Sequence, residues 1–472
     1  MTRSARRLGR LAGICTAAVA VTLAGLSTPA VGHGENPDQE STQLAAQVPV
    51  ATSNNVELVG KAPNSQGISG DFSRSTEHFY VSSLDGISVY DTSNPRLPLL
   101  VGELPLSNFE NEAMNYGERR KDGKLTDQFV LVGVDLQAAG TDPQHVNPGD
   151  GQQVIIVDVS DPANPFQRSE VDPVSSSTHT VSCLRQVQCR FAYSAGNRGT
   201  FSIIDLRNLD KPVEVDSNPN KDGVQGFKSP ALEPSLRFRN GAGHKWNFDR
   251  RGHGFHTGAA GTAVFDVTNP TNPKLLNTTT AVANPQTPEQ KARGYNDFIH
   301  HNSWHPHEGQ FRANTAPRLS NGNVLLITEE DYLETDCSKA GSFQTWKIDS
   351  FGKPIRPLDK VELTDLGGPT EVVKPRDVFC SAHWFDYHQS GIVAIGYYGG
   401  GTRLLDVRDP RNIKSFGYAV GGQTWDSYWA PQRRRNGVAE FDRTNLLYSV
   451  DLVDGLTVYK VNNLPKGNAG LR

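Results

Sequence analysis

Histidine is scarce in this chain, 13 in 472 residues, yet His179, His244, His301 and His383 fall one to a repeat at corresponding points. Imidazole is a common ligand for copper, iron and zinc, and rigid elements that each bring one ring to a shared point can hold an ion. Carboxylates accompany them. Glu112 occupies the corresponding point of a fifth repeat, and Glu330 and Asp331 end the acidic run 329–331. These three are the candidates to orient a ligand or serve as general base. The expected cofactor is a transition-metal ion. The same rings have two other readings, as hydrogen-bond donors to neighbouring backbone or as the lining of a polar, metal-free channel. His253, His256, His305, His307 and His388 fall further along the elements and read as packing or surface residues.

The elements that must position these groups are repeated. Gly, a short β-rich run, a charged anchor and an Asn/Asp-Pro turn recur as GISVYDTSNP (86–95), QVIIVDVSDPANP (153–165), GTFSIIDLRNLDKP (199–212) and GTAVFDVTNPTNP (261–273), then as GSFQTWKIDSFGKP (341–354), GTRLLDVRDPRN (401–412) and GLTVYKVNNLP (455–465). The anchors are Asp91, Asp158, Asp205, Asp266, Lys347, Asp406 and Lys460, spaced 67, 47, 61, 81, 59 and 54 residues apart. Lys347 and Lys460 replace the usual Asp, so those two turns are expected to be less secure. A β-rich run precedes most units, a third follows the Pro, and a weaker one, such as HWFD (383–386) or AEFD (439–442), opens them. Four short strands with Gly and Pro turns, recurring at this period, predict blades of a β-propeller. Seven copies predict seven blades in an all-β fold.

The first strand of a blade lines the central channel and starts at its upper mouth. By offset from the anchors, the inner strands begin near Gly70 and Ala439 (21 residues before), His383 (23), His244 (22) and His179 (26), and, with longer hairpins, near Glu112 and His301 (46). Four of seven blades therefore place a His at the mouth. His300 and His301 point to opposite faces of one strand, so one of them faces the channel. The insertions at 213–243 and 277–299 would lie over the same mouth, with a short helix start at Thr287–Gln290. Trp425 and Trp429 form either a recognition wall or a cover for a blade end.

The last unit lacks an outer strand, while 56–63 (VELVGKAP) looks like an outer strand without inner partners. Pairing the two closes the ring and covers open edges. The expected organisation is a signal peptide over 1–32, a flexible linker over 33–54 and the propeller over 55–472. Four Arg before an uncharged, small-apolar run from Leu11 to Ser27 make the leader secretory, with Sec or twin-arginine export open. The location is accordingly outside a bacterial cell, with no membrane span after cleavage.

Removal of 1–32 takes away four Arg and no acid, leaving 43 basic against 51 acidic residues, net −8. Such a chain gains nothing from phosphate neutralisation, and nucleic acid is excluded as a partner. A small molecule or an extracellular protein is the expected partner, and the chain is expected to be a monomer. Export makes cysteine pairing the default. The five-residue gap between Cys183 and Cys189 fits a hairpin, and elimination pairs Cys337 with Cys380. Zinc is the rival reading, but no CxxC occurs.

At its repeat cores, above all VIIVDVSDPANP (154–165), the sequence resembles the LVIVD-repeat proteins, which are secreted, propeller-like bacterial proteins. That resemblance implies architecture and brings no settled activity. The run HHNSWHPH (300–307) is similar to histidine-rich motifs of methanethiol oxidase and selenium-binding propellers. No G-x-S-x-G, H-E-x-x-H or phosphate loop is present. Three functions remain: a binding scaffold whose His-rich mouth holds a small ligand or metal, a copper-, iron- or zinc-dependent oxidoreductase or hydrolase, and a cell-surface interaction module.

Overall fold

Val, Ile and Leu fill the central strands on both faces because each blade is covered by a neighbour on either side. Val324–Glu330 and Ile392–Gly396 are buried throughout, whereas the outer strand Leu99–Pro105 is partly exposed along its length. The computed structural model describes residues 50–466, except 63–66, 84, 107–111, 113, 139–145, 197–198, 233–241, 280–294, 296–297, 333 and 370–379. The leader at 1–32, the linker over 33–49, the helix start at 287–290, residues 233–241 of the first insertion and most of the second lie outside the described residues.

Seven antiparallel sheets form the seven blades of a propeller. Their inner strands are Gly67–Phe72, Asn115–Lys121, Thr180–Cys183, Gly243–Phe248, Ile299–Trp304, Phe385–His388 and Thr424–Arg433. The core lies between blades. Tyr80, Val89, Tyr116, Val130 and Val157 pack the first pair, and Phe72, Phe79, Tyr448 and Val458 join the last blade to the first. Each such side chain contributes about 1.5–3 kcal/mol through burial, so the ring is held chiefly by these interfaces.

The anchor Asp has a local task. The Oδ1 atoms of Asp91, Asp158, Asp205, Asp266 and Asp406 accept the backbone N–H two residues on, at 2.7, 2.9, 2.9, 2.9 and 3.1 Å. These side-chain bonds close the turn before the Pro. The two Lys units hold by other means: Lys347 pairs with Asp349, and Lys460 reaches Glu57 at 3.8 Å.

Val56–Ala62 completes blade seven, paired from Val56↔Val461 to Ala62↔Leu456 with one register shift between Leu58 and Gly60. The tie-in starts earlier than the boundary at 55. Ala51–Thr52 adds a fifth strand to blade six, opposite Val420 and Ala419, and the Ser53 hydroxyl accepts the Tyr418 N–H at 3.0 Å. One expectation is corrected. Ala439 does not open the inner strand of blade seven but begins its second strand, Ala439–Asp451. The inner strand is Thr424–Arg433, which contains both Trp425 and Trp429. Its Pro431 sits between two register shifts, a setting in which a strand tolerates a missing N–H.

Candidate metal centre

At the upper ends of the inner strands the side chains converge. His244 and His301 lie within Gly243–Phe248 and Ile299–Trp304, whereas His179 stands one residue and His383 two residues before their strands. In both of the first two strands the register slips at the histidine, between Gly243 and Lys245 and between His300 and Asn302. Such bulges re-aim side chains. His301 thus faces the centre, while His300 turns into the blade packing, its Nδ1 2.9 Å from Thr262 Oγ1.

Glu112, from the loop entering blade two, is the hub. Its Oε2 lies 2.7 Å from His179 Nε2, and its Oε1 lies 2.9 Å from His383 Nε2, 3.1 Å from His301 Nε2 and 3.6 Å from His244 Nε2. Glu330 faces the same point from blade five. Its Oε2 is 3.7 Å from His301 Nε2 and 3.9 Å from His244 Nε2, and its Oε1 accepts the Tyr398 hydroxyl. Among the described residues two ligand-like groups result, Glu112–His244–His301 and His301–Glu330–His383, each with its donor atoms within 4.8 Å of one another.

Asp331 stands apart. Its Oδ1 accepts the Glu334 N–H at 3.1 Å and so shapes the loop after the strand. Glu329 also turns away, toward Ser342 and Gln344 at 3.0 Å each. His253 and His305 both bind Asp249 Oδ2, at 2.8 and 3.0 Å. His307 contacts the Tyr387 hydroxyl, and His388 contacts Ser390.

Tautomers follow from geometry. His244 Nδ1 lies 3.1 Å from the His301 carbonyl, and His383 Nδ1 lies 2.7 Å from the Trp425 carbonyl. A carbonyl only accepts, so these Nδ1 atoms carry the proton, and a neutral ring then aims its Nε2 lone pair at the hub. Burial, reinforced by His301, holds His244 well below the usual imidazole range; burial and His383 do the same for His301. Burial pushes the Glu112 carboxyl up, but the charges of His179 and His244 and the hydrogen bonds from His179 and His301 outweigh it and hold Glu112 well below the usual range. Burial, with Glu112 nearby, raises Glu330 to about 7. Four imidazole Nε2 atoms and a carboxylate therefore face one small volume. With bonds of ~2.1 Å, ligand atoms on one ion stand ~3.0 Å apart in an octahedron and ~3.4 Å apart in a tetrahedron, which the 2.7–3.6 Å separations from Glu112 bracket.

Among the described residues there are two disulfides, and one of them lies beside this region. Cys183–Cys189 closes the hairpin of blade three, and Cys337–Cys380 joins the loop of blade five to the entry of blade six, three residues before His383. A cavity of about 170 Å³ starts at Glu112 and continues down the channel past Asp71, Lys245, Trp384, Asp426 and Tyr428. Sequence reasoning missed these channel residues. Strict alternation along GHKWNF assigns Lys245 to the face opposite His244, and only the bulge brings both to the channel.

Fold and site together define a β-propeller whose channel mouth gathers four histidines around a buried carboxylate. Residues 149–172 match the family model described as LVIVD repeat, so the chain is a β-propeller that carries an LVIVD repeat. Among solved structures it is similar to the Cps50 (Swd1) β-propeller domain of Myceliophteria thermophila, at 11% identity and a TM-score of 0.49, over 86% of this chain and 100% of that one. Among curated proteins none matches.

Proposed function

We propose that this protein binds one transition-metal ion through His179, His244, His301 and His383, with Glu112 as the charged fifth group, and presents it to a small molecule in the adjoining cavity. The observation that carries this reading is the convergence of four Nε2 atoms within 3.6 Å of the Glu112 carboxylate oxygens. Imidazole nitrogen and carboxylate oxygen suit iron, copper or zinc. Carbonyl acceptors behind His244 and His383 supply the outer partners that orient ligand rings in metal sites.

Metal-dependent catalysis is the second reading. It is favoured by Glu330, whose carboxyl near 7 sits beside the cluster and holds the Tyr398 hydroxyl, a suitable state for moving a proton at neutral pH. The protein is also read as exported. Two disulfides fit an oxidising compartment, and among the described residues no helix is long and apolar enough to cross a membrane.

Elemental analysis of protein purified from its export compartment tests the metal reading. About one iron, copper or zinc per chain is expected, lost in the double variant His244→Ala/His383→Ala. Metal-free protein that takes up none of the three ions, or a double variant that retains the ion, overturns it.

A further inference from the structure

We infer that the channel cavity below the His/Glu cluster is a binding site for a small organic monoanion, a carboxylate with a flat apolar body, and that Lys245 is its anchor. This deepens the reading above, resting on it for the chemistry that the anion would meet at Glu112, though the anion site is testable by itself.

The charged groups that line the cavity differ in whether they already have partners. The acids do. Asp71 Oδ2 accepts the Tyr116 N–H at 3.0 Å and the Gln186 amide at 2.7 Å. Asp386 accepts the N–H groups of Tyr387 at 2.9 Å and Trp429 at 3.0 Å, with Arg443 Nε at 3.4 Å. Asp426 Oδ1 accepts the Ser427 N–H at 2.7 Å. Arg74 Nε donates to Gln186 at 2.6 Å, and both Arg74 and Arg443 are only partly buried.

Lys245 differs. It is 8% exposed and lines the cavity, yet among the described residues its ammonium has neither a hydrogen-bond acceptor nor an ion-pair partner. It lies over the face of Trp384, 4.8 Å from the ring centroid, and Asp71, Asp426 and Glu112 act on it through charge without reaching it as ion-pair partners. A buried ammonium without an acceptor is strongly unfavourable, and a charge-assisted hydrogen bond to a bound anion relieves that cost.

The rest of the wall narrows the class. Trp384, Trp429, Phe385 and Tyr428 give the cavity flat apolar faces, which suit a planar or aliphatic body. One unpartnered cation among several carboxylates favours a monoanion over a phosphate dianion. A cavity of ~150 Å³ takes a benzene-sized molecule, so about 170 Å³ suits a single-ring acid.

The test uses the full chain, metal-loaded and metal-stripped, with benzoate, benzyl alcohol and benzylamine as probes and titration calorimetry as the readout. Benzoate is expected to bind best, and Lys245→Met to weaken benzoate at least about tenfold while leaving benzyl alcohol unchanged. Lys245→Arg should recover part of the loss. Preference for benzylamine, equal binding of acid and alcohol, or no benzoate binding to the folded wild type overturns the inference. The wild-type comparison decides even where a variant fails to fold. Lys245-dependent benzoate binding in a protein that takes up no metal would sink the metal reading and leave this one standing. A stoichiometric ion without benzoate binding would do the reverse.

Discussion

His179 and His244 meet Nε2 to Nε2 at 3.0 Å. The His244 proton sits on Nδ1, bound to the His301 carbonyl, so its Nε2 offers a lone pair to whatever His179 presents. A donor on His179 satisfies that pair, but His301 and His383 still press their Nε2 atoms on the one Glu112 oxygen, Oε1, at 3.1 and 2.9 Å. One cation at the hub satisfies all four rings together. Stripping the ion with a chelator should therefore lower the melting temperature. Returning one equivalent should restore it, with a gain of about 2.7 kcal/mol at a free concentration 100-fold above Kd. Differential scanning calorimetry reads this directly, and a melting temperature indifferent to the ion contradicts it.

The two disulfides should differ in weight. Cys337–Cys380 spans 43 residues and links two blades, whereas Cys183–Cys189 spans 6 within one hairpin. Loop-closure entropy gives upper values of about 4 and about 2 kcal/mol respectively. Cys337→Ser/Cys380→Ser is expected to lower the urea midpoint more than Cys183→Ser/Cys189→Ser. It should also weaken metal retention, because Cys380 holds the loop that delivers His383. Equal shifts in the two pairs would remove the special role of the blade-five-to-six clamp.

Ring closure makes a further prediction. Residues 51–62 supply an outer strand to blade six and another to blade seven, so a chain beginning at residue 63 exposes two strand edges. Unpaired edges recruit other chains. Light scattering should show association of the shortened protein, and a peptide spanning 50–62 added in trans should suppress it. A shortened chain that stays monomeric with an unchanged melting temperature refutes this account of closure.

The parts of the molecule that were readable in sequence depend on local chemistry. Each anchor Asp announces its turn because its own side chain closes it, and the offset from that turn to the inner strand locates His179, His244, His301 and His383 without knowledge of the ring. Blade seven broke the rule. Its hairpin, Thr424–Arg433 with Ala439–Asp451, is longer, so an offset of 21 residues from Lys460 lands on Ala439 in the second strand. Ala51–Thr52 is too short to carry a period. The channel face of Lys245 and the inward turn of His301 depend on register slips, which no pattern of residue types along one strand specifies. The place of Glu112 among rings from four other blades depends on how separate blades meet.

His256 provides the pH dependence. Its ring stacks on Trp246 at 4.4 Å and 3°, and among the described residues neither ring nitrogen has a hydrogen-bond partner. Burial lowers its pKa from 6.5 to about 3, so the folded protein keeps this ring neutral where the unfolded chain protonates it. The unfolded state therefore binds the extra proton between pH 6.5 and 3. The contribution of His256 is intact above pH 6.5 and is lost as pH falls through that window, by about 1.4 kcal/mol per pH unit. His256→Leu removes the titration and keeps the volume. Whatever the constant offset from the lost stacking, the stability difference between variant and wild type should be flat above pH 6.5. By pH 4.5 it should move in the variant's favour by about 2–3 kcal/mol. Urea unfolding at pH 7.5, 6.5, 5.5 and 4.5 measures it, and parallel pH profiles would show that this ring is not held neutral by burial.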